Sequence, residues 1–215
     1  MNIVVCIKQV PDTAEVKINP ETNTLIRDGV ENIMNPFDRQ ALETALILKD
    51  TSGAKVTVVS MGPPQATDIL KEAIAMGADD AVLISDRALA GSDTLATSVA
   101  LAAAVRKVGE CDLVLCGKQA IDGDTAQVGP QISEHLDIPV ISYAQDIKVE
   151  GDSVIVQRQF EDRYHVLKAK MPCLITALSE LNEPRYMTPG GIFDACDAEI
   201  TTWGRADLTT LDDAN

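Results

Sequence analysis

Short runs of aliphatic and β-branched residues alternate with longer segments of helical periodicity through the first two thirds of the chain. Glycines follow two of the helical segments and mark their ends, at Gly77 and Gly109. Strands that are joined by helices lie parallel, with right-handed crossovers. The sequence therefore predicts an α/β fold, a doubly wound, mostly parallel sheet with helices on both faces. The strand-like runs are 2–8, 55–60, 81–85 and 113–116, and the helical segments are 37–49, 64–76 and 92–109.

The pattern changes after a further segment of helical periodicity, which begins at Ala126 and ends near Leu136. Residues 144–150 and 153–160 flank a Gly151-Asp152 turn, and residues 164–170 alternate as a third strand. These segments predict an antiparallel hairpin extension, after which 171–177 returns to a buried-strand pattern. A smaller hairpin is predicted where 16–18 and 24–26 flank a turn sequence.

The loop after the strand at 113–116 is the strongest candidate for a binding site. It runs from Gly117 to Pro130 and lies where the strand's carboxyl end meets the start of a helix, the position at which open α/β sheets bind ligands. Asp124 and Thr125 are N-cap candidates, and first-turn N–H groups with Thr125 and Gln127 could bind phosphate or ribose oxygens. A connecting loop that binds nothing also needs a cap and a glycine, so the spacing fits both interpretations.

Two other strand ends lead into polar segments. Residues 9–13 form a polar turn after the first strand. Ser92-Asp-Thr-Leu-Ala-Thr97 opens a helix, where Thr94 and Thr97 lie one turn apart and could bind a pyrophosphate or a flavin ring. A simple Ser or Asp N-cap with a solvent-facing threonine would also account for part of this segment.

Composition excludes several classes of function. A formal net charge of −15 argues against a nucleic-acid partner, and the chain has no phosphate-binding G-x-x-x-x-G-K-[ST] or G-x-G-x-x-G motif and only two histidines, so a hydrolase lacks a catalytic set. Its five cysteines lack metal-ligand spacing and are expected to be reduced. No bilayer-spanning run or signal sequence is found, so we expect a cytoplasmic protein without membrane insertion.

Several motifs together resemble the β subunit of electron-transfer flavoproteins over nearly the whole chain. They are Val4-Val-Cys-Ile-Lys-Gln-Val-Pro-Asp12, Met34-Asn-Pro-Phe-Asp38, Ser60-Met-Gly-Pro63, Ala75-Met-Gly-Ala78, Gly117-Lys-Gln-Ala-Ile-Asp-Gly-Asp-Thr-Ala-Gln-Val-Gly-Pro130 and Glu180-Leu-Asn-Glu-Pro-Arg-Tyr186.

The resemblance implies a heterodimer with a larger α subunit that holds a redox-active FAD and exchanges electrons with dehydrogenases. In ordinary members the β subunit holds structural AMP. In electron-bifurcating members the same pocket holds part of a second FAD, which receives hydride from NADH, an activity of the complex with the α subunit.

The resemblance also implies which residues form the pocket. They come from the first strand, the segment before the first long helix, the end of the next strand, the helix start at residue 93 and the candidate loop. The implied cofactor-binding residues are Cys6, Asn35, Pro36, Phe37, Asp38, Met61, Asp93, Thr94, Thr97, Gly117, Lys118, Gln119, Ala120, Ile121, Asp122, Gly123, Asp124, Thr125, Ala126, Gln127 and Val128. No catalytic or metal-ligating residue is implied.

Two segments look like the bifurcating subgroup. Ser92–Thr97 is polar where ordinary members have an apolar helix start, which favours FAD over AMP, although both remain open. Met187–Phe193 carries Pro189 where ordinary members place the leucine that anchors dehydrogenases. By composition this stretch predicts a turn at the domain edge, with Ile192 and Phe193 returning to the core.

The domain is expected to span 1–193, and 194–215 is expected to be a C-terminal extension that begins an arm toward the partner subunit. Trp203 is the only aromatic residue of that extension, and we expect it to pack on the domain.

Overall fold

The computed structural model describes residues 1–12 and 31–208. The small hairpin predicted at 16–18 and 24–26 lies outside these residues. Within them, the strands are β1 Asn2–Cys6, β2 Gln9–Pro11, β3 Asn32–Met34, β4 Lys55–Met61, β5 Asp80–Ile84, β6 Leu113–Gly117, β7 Val140–Glu150, β8 Ser153–Gln159, β9 Tyr164–Lys170, β10 Cys173–Ala177 and β11 Thr201–Trp203. The helices are α1 Pro36–Ser52, α2 Thr67–Met76, α3 Thr94–Val108, α4 Val128–Leu136 and α5 Pro189–Asp197, with single 3-10 turns at Pro64–Ala66, Arg87–Leu89 and Arg205–Asp207.

One large sheet runs in the order β11-β5-β4-β1-β6-β10-β7-β8-β9. All neighbours from β11 to β7 pair parallel, and β7, β8 and β9 pair antiparallel. The predicted doubly wound parallel sheet with an antiparallel extension is therefore confirmed, and the extension continues the same sheet. The chain moves from β1 outward to β4 and β5, then returns to the other side of β1 with β6, which creates a reversal of strand order between β1 and β6.

Two hydrophobic cores lie on opposite faces of this sheet. One contains Leu42 and Leu46 of α1 with Leu70 of α2, and the other contains Leu101 of α3 with Ile132 of α4. The strands between them alternate between the cores, as Val5 and Val4 of β1 do. Strands buried on both faces read as continuous apolar runs, which is why the sequence pattern located them well.

The ends of α1 and α2 have local signals in the sequence. Helix α1 begins at Pro36, whose fixed φ suits a first helical position, and ends before Gly53 at φ 70°. Helix α2 ends before Gly77, which has a φ of 126°. Both glycines allow the chain to leave the helix in a conformation that a Cβ would disfavour.

Three predictions about loops are wrong. Residues 9–11, predicted as part of a polar turn, form β2 and pair antiparallel with β3. Residues 189–197, predicted to begin as a turn, form helix α5, which Thr188 caps through its hydroxyl at 3.0 Å from the N–H of Gly191. Ile192 and Phe193 are exposed and do not return to the core. The face of this short helix that packs on the domain carries Ala195 instead.

The segment after α5 packs on the domain. Strand β11 pairs parallel with β5, and Trp203 packs against the core that contains α3. The boundary expected at residue 193 falls within helix α5. Within residues 1–12 and 31–208, no helix combines the length and the apolar composition that crossing a bilayer requires.

Candidate nucleotide site

The predicted site residues meet at one edge of the sheet. Strands β5, β4, β1 and β6 are adjacent and parallel, so their carboxyl ends lie side by side. Cys6 ends β1, Met61 ends β4, Gly117 ends β6, and Asp93 precedes the helix that follows β5. The reversal of strand order between β1 and β6 lies at the centre of this edge, where α/β sheets form their binding crevice.

Asp38 joins the two strands on either side of the reversal. Its carboxylate accepts the N–H of Lys8 at 2.8 Å through Oδ2 and the N–H of Gly117 at 2.9 Å through Oδ1. The side chain is buried, and burial raises the pKa of Asp38 to about 7, although the N–H groups of Gly117 and Lys8 pull the pKa down. This side chain therefore holds the ends of β1 and β6 together.

Asn35 performs a similar task one turn earlier. It is fully buried, its Nδ2 donates to the carbonyl of Gln119 at 2.9 Å, and its Oδ1 accepts the N–H of Ile121 at 3.1 Å. Although Asn35 stands at the N-cap position of α1, its side chain makes no capping bond. Its hydrogen-bonding groups hold the candidate loop instead.

Gly117 allows α1 to approach this closely. A Cβ on Gly117 would lie 2.5 Å from Oδ1 of Asp38 and 2.6 Å from the Cβ of Phe37. Beside it, the ammonium of Lys118 lies 5.1 Å from the centre of the Phe37 ring, a cation–π arrangement that keeps a positive charge at the edge.

The loop itself has an unusual backbone. Asp124 and Ala126 have φ values of 55° and 54°. A residue with a Cβ costs about 1–2 kcal/mol in this left-handed region. The N–H of Asp124 donates to the carbonyl of Ala120 at 2.9 Å, and the Gln119 amide donates to the Asp124 carboxylate. Backbone strain that surrounding contacts maintain is common at ligand sites.

Helix α4 begins two residues later than predicted. Neither Asp124 nor Thr125 is its N-cap; the cap position is Gln127, and no side chain from the described part of the chain caps the first turn. Asp124 could not serve because its left-handed φ differs from the extended backbone of a usual N-cap. The first turn of α4 thus keeps N–H groups that could donate hydrogen bonds to a bound oxyanion.

The helix is held tightly in place behind that turn. A Cβ on Gly129 would lie 2.8 Å from Sγ of Cys116 and 2.9 Å from Cγ2 of Thr176. Glycine therefore allows α4 to approach the ends of β6 and β10, which fixes the distance of its first turn from the crevice.

Helix α3 presents a second start on the same face of the sheet. Oδ1 of Asp93 accepts the N–H of Ala96 at 2.9 Å, so this carboxylate serves as the N-cap. Ser92 donates its hydroxyl to the carbonyl of Leu89 at 2.7 Å. Thr94 and Thr97 are partly exposed, and their hydroxyls make no hydrogen bond with other residues in 1–12 or 31–208.

The cysteines at the edge are not poised for nucleophilic chemistry. All five cysteines are free, as predicted. Cys6 and Cys116 are neighbours on β1 and β6, and burial raises the pKa of Cys6 to about 12 and the pKa of Cys116 well above its usual value. Both thiols stay protonated at neutral pH, so they pack as small apolar groups.

The site residues thus divide into two groups. Cys6, Asn35 and Asp38 are buried, and the two polar side chains are engaged with backbone groups. Phe37 and Met61 are partly buried. The side chains that are exposed or partly exposed to solvent lie on the loop and at the helix starts, at Ile121, Asp124, Thr125, Gln127, Thr94 and Thr97. Free helix-start donors beside polar loop groups suit a phosphate-bearing ligand, and an adenine nucleotide fits this donor set.

Sequence reasoning missed one residue of this edge. Lys8 follows β1, and its ammonium donates to both carboxylate oxygens of Asp122, at 2.7 and 2.8 Å. Its presence in the first motif was the only available signal, because the partner lies 114 positions away.

Comparisons with known proteins agree with this architecture. The model of the electron transfer flavoprotein domain matches residues 22–212. Subunit CarD of the caffeyl-CoA reductase-Etf complex of Acetobacterium woodii is 57% identical over 209 residues, which cover 97% of this chain and 80% of the relative. Electron transfer flavoprotein β subunits of Clostridium acetobutylicum and Megasphaera elsdenii are 57% and 58% identical, and each match covers 100% of this chain and 82% of the relative.

Proposed function

This chain belongs to the electron transfer flavoprotein family as a relative of its β subunits, and we propose that it holds FAD at the carboxyl edge of its sheet within a heterodimer with an α subunit. Members of this family transfer electrons with partner redox enzymes. The observation that carries the proposal is the first turn of α4, which no side chain of the described residues caps; this turn follows the left-handed loop at Asp124 and Ala126 and lies against the ends of β6 and β10.

The chain's own groups divide the work of binding. First-turn N–H groups of α4 donate hydrogen bonds to a phosphate, and the exposed loop residues Thr125 and Gln127 lie beside it for ribose or phosphate oxygens. Asn35 binds the backbone of this loop and Asp38 binds the N–H of Gly117 at its start, so neither side chain needs to touch the ligand. When bound, a flavin supplies the redox chemistry, and the protein supplies orientation and exclusion of water.

The second helix start favours FAD over AMP. Strands β5 and β6 are separated by β4 and β1, so their carboxyl ends lie about 14 Å apart along the edge, and the helices that follow them, α3 and α4, pack against each other. AMP ends at a single phosphate, whereas a dinucleotide continues beyond it toward Thr94 and Thr97. Because Asp93 already caps α3, a role in capping does not explain these two hydroxyls. This arrangement supports the bifurcating, NADH-oxidising type, and structural AMP is the alternative.

Counting the cofactors decides between the two. The heterodimer is purified and denatured, and the released FAD and AMP are quantified by absorbance and mass spectrometry. Two FAD and no AMP per heterodimer are expected, together with bleaching of flavin absorbance by NADH under anaerobic conditions. One FAD with AMP would support the alternative and reject the FAD proposal for this subunit.

A matched pair of variants tests the role of the α3 start. Thr94→Val with Thr97→Val is expected to lower the FAD content of this subunit, because both hydroxyls are lost without a change in shape. Thr51→Val, in an exposed position at the other end of α1, is the control. Unchanged FAD content in the double variant would remove these hydroxyls from the site.

We also propose that the exposed side chains around α5 dock a partner redox enzyme. Tyr186 and Phe193 are 92% and 74% exposed, and Met187 and Ile192 are also exposed. Acidic residues Glu183, Asp194 and Asp197 flank them, which favours a partner with an apolar pocket and a basic rim. The Acetobacterium relative is named as a subunit of a reductase complex, in agreement with such docking.

Electron transfer to that partner tests the docking surface. Phe193→Ser is expected to raise the KM for the partner enzyme about tenfold while the cofactor content stays constant. Ile47→Ser, also at an exposed apolar residue but on α1, is the control. An unchanged KM for Phe193→Ser would exclude this surface.

A further inference from the structure

Lys8 follows strand β1, and its side chain binds Asp122 in the candidate loop. Its ammonium donates to Oδ1 and Oδ2 of Asp122 at 2.7 and 2.8 Å. The Asp122 side chain is only 7% exposed, whereas Lys8 is 45% exposed. A carboxylate with so little exposure to water depends on its ionic partner, because an unpaired charge is unfavourable in the protein interior.

The backbone of Lys8 is fixed independently of its side chain. Its N–H donates to Oδ2 of Asp38, and its carbonyl accepts the N–H of Asn35 at 2.9 Å. The ammonium therefore extends from an anchored backbone. This rigidity allows a flexible side chain to set the position of Asp122.

Asp122 lies at the point where the loop enters its left-handed section. Asn35 holds the loop at Gln119 and Ile121, and Asp124 and Ala126 then take positive φ values before α4 begins. Between Ile121 and the helix start, the pair with Lys8 is the tether that reaches the loop from the β1 side. Its loss would release the segment that leads into the free first turn of α4.

We propose that Lys8 is a positioning residue for the adenine nucleotide: through Asp122 it holds the left-handed loop in the conformation that presents Thr125, Gln127 and the α4 first turn to the ligand. This inference rests on the proposed function. It assigns Lys8 an effect on affinity without contact between Lys8 and the nucleotide.

The test measures nucleotide affinity in the full chain purified with its α subunit and stripped of cofactor. AMP and FAD are titrated separately by calorimetry into the wild type, Lys8→Met, Lys8→Arg and Lys55→Met. Lys55 pairs with Asp80 at 2.7 Å at the opposite edge of the sheet and is the matched control. Lys8→Met is expected to raise the Kd of the bound nucleotide about tenfold, while Lys8→Arg and Lys55→Met stay within about threefold.

A double-mutant cycle separates positioning from direct contact. If Lys8 acts through Asp122, Lys8→Met has no further effect on the Kd in the Asp122→Asn variant. Additive effects would mean that Lys8 touches the ligand, which would overturn the positioning role.

A purely structural role makes a different prediction. In that case the thermal unfolding midpoint of the nucleotide-free Lys8→Met protein falls while its Kd matches the wild type, and the inference is overturned. A wild type that binds neither AMP nor FAD would instead overturn the proposed function, and this inference with it.

Discussion

At the scale of single residues, the buried polar groups of the edge build the site without facing it. Asn35 and Asp38 belong to the set that the resemblance implied as cofactor-binding, and the structure shows their side chains engaged with the backbone of β1, β6 and the loop. A buried carboxylate that accepts two N–H groups, as Asp38 does, cannot be replaced by an amide without leaving one of these donors unpaired.

Asp38→Asn is expected to weaken the link between the ends of β1 and β6. The amide NH₂ must face the N–H of either Lys8 or Gly117, so one hydrogen bond becomes a repulsive contact. We expect a loss of about 1–3 kcal/mol in the free energy of unfolding at about pH 5, measured by urea denaturation. Asp162→Asn, at an exposed residue paired with its neighbour Arg163, is expected to change it by less than about 0.5 kcal/mol. Equal effects of the two variants would contradict the prediction.

The same carboxyl predicts a pH dependence. Burial raises the pKa of Asp38 from 3.8 to about 7, so the folded protein keeps a proton that the unfolded chain releases at lower pH. The stabilisation from this proton is complete below about pH 4 and is lost as the pH rises through about 7. Relative to Asp38→Asn, the free energy of unfolding of the wild type is expected to fall across this window. A difference between the two proteins that stays constant with pH would refute it.

At the scale of elements, the position of α4 depends on how closely it approaches the sheet. Gly129 packs against Cys116 and Thr176 at distances that leave no room for a methyl group. The helix is short, from Val128 to Leu136, so this contact lies within its first turn, the part that we propose binds phosphate.

Gly129→Ala is therefore predicted to move α4 or strain β6. Alanine is the better helix former, but overpacking here is expected to lower the free energy of unfolding by about 1–3 kcal/mol and to weaken nucleotide binding. Gly190→Ala is the control, because that glycine lies in α5 with open space around its Cβ position. A more stable Gly129→Ala protein would show that the helix shifts without penalty.

At the scale of the whole molecule, residues 181–185 bind the segment before α5 to α1. The Arg185 guanidinium binds Glu43 through several hydrogen bonds of 2.9–3.1 Å and Asp50 at 2.8 Å. Asn182 donates to the carbonyl of Gln40 and to the hydroxyl of Thr44. These contacts, between positions about 140 residues apart, direct the chain toward α5 and the proposed docking surface.

Arg185→Met is predicted to leave the buried Glu43 carboxylate with its main partner removed. Because Arg185 is partly exposed, we expect a loss of about 2–3 kcal/mol in the free energy of unfolding. Adding Glu43→Gln should recover part of this loss, since the unpaired charge is then gone. Lys148→Met, which breaks an exposed pair with Asp146, is the control and is expected to cost less than about 0.5 kcal/mol. No recovery in the double variant would count against a charge effect.

The sequence by itself determined the alternation of elements, the parallel sheet and the location of the candidate loop. These depend on local periodicity and on glycines and prolines such as Pro36 and Gly77, which act within a few residues of their own position. Helix α5 was not predicted, because its Pro-Gly-Gly start is typical of turns. The cap at Thr188 and the packing of Ala195 stabilise the helix instead.

Only the tertiary structure decided how the site is held. The pairing of Lys8 with Asp122 and the span of Asp38 between the ends of β1 and β6 both join segments that are distant in sequence and adjacent in space. Hydrogen bonds and charge pairs act over a few ångströms, and a linear pattern holds no record of which remote groups will come within that distance.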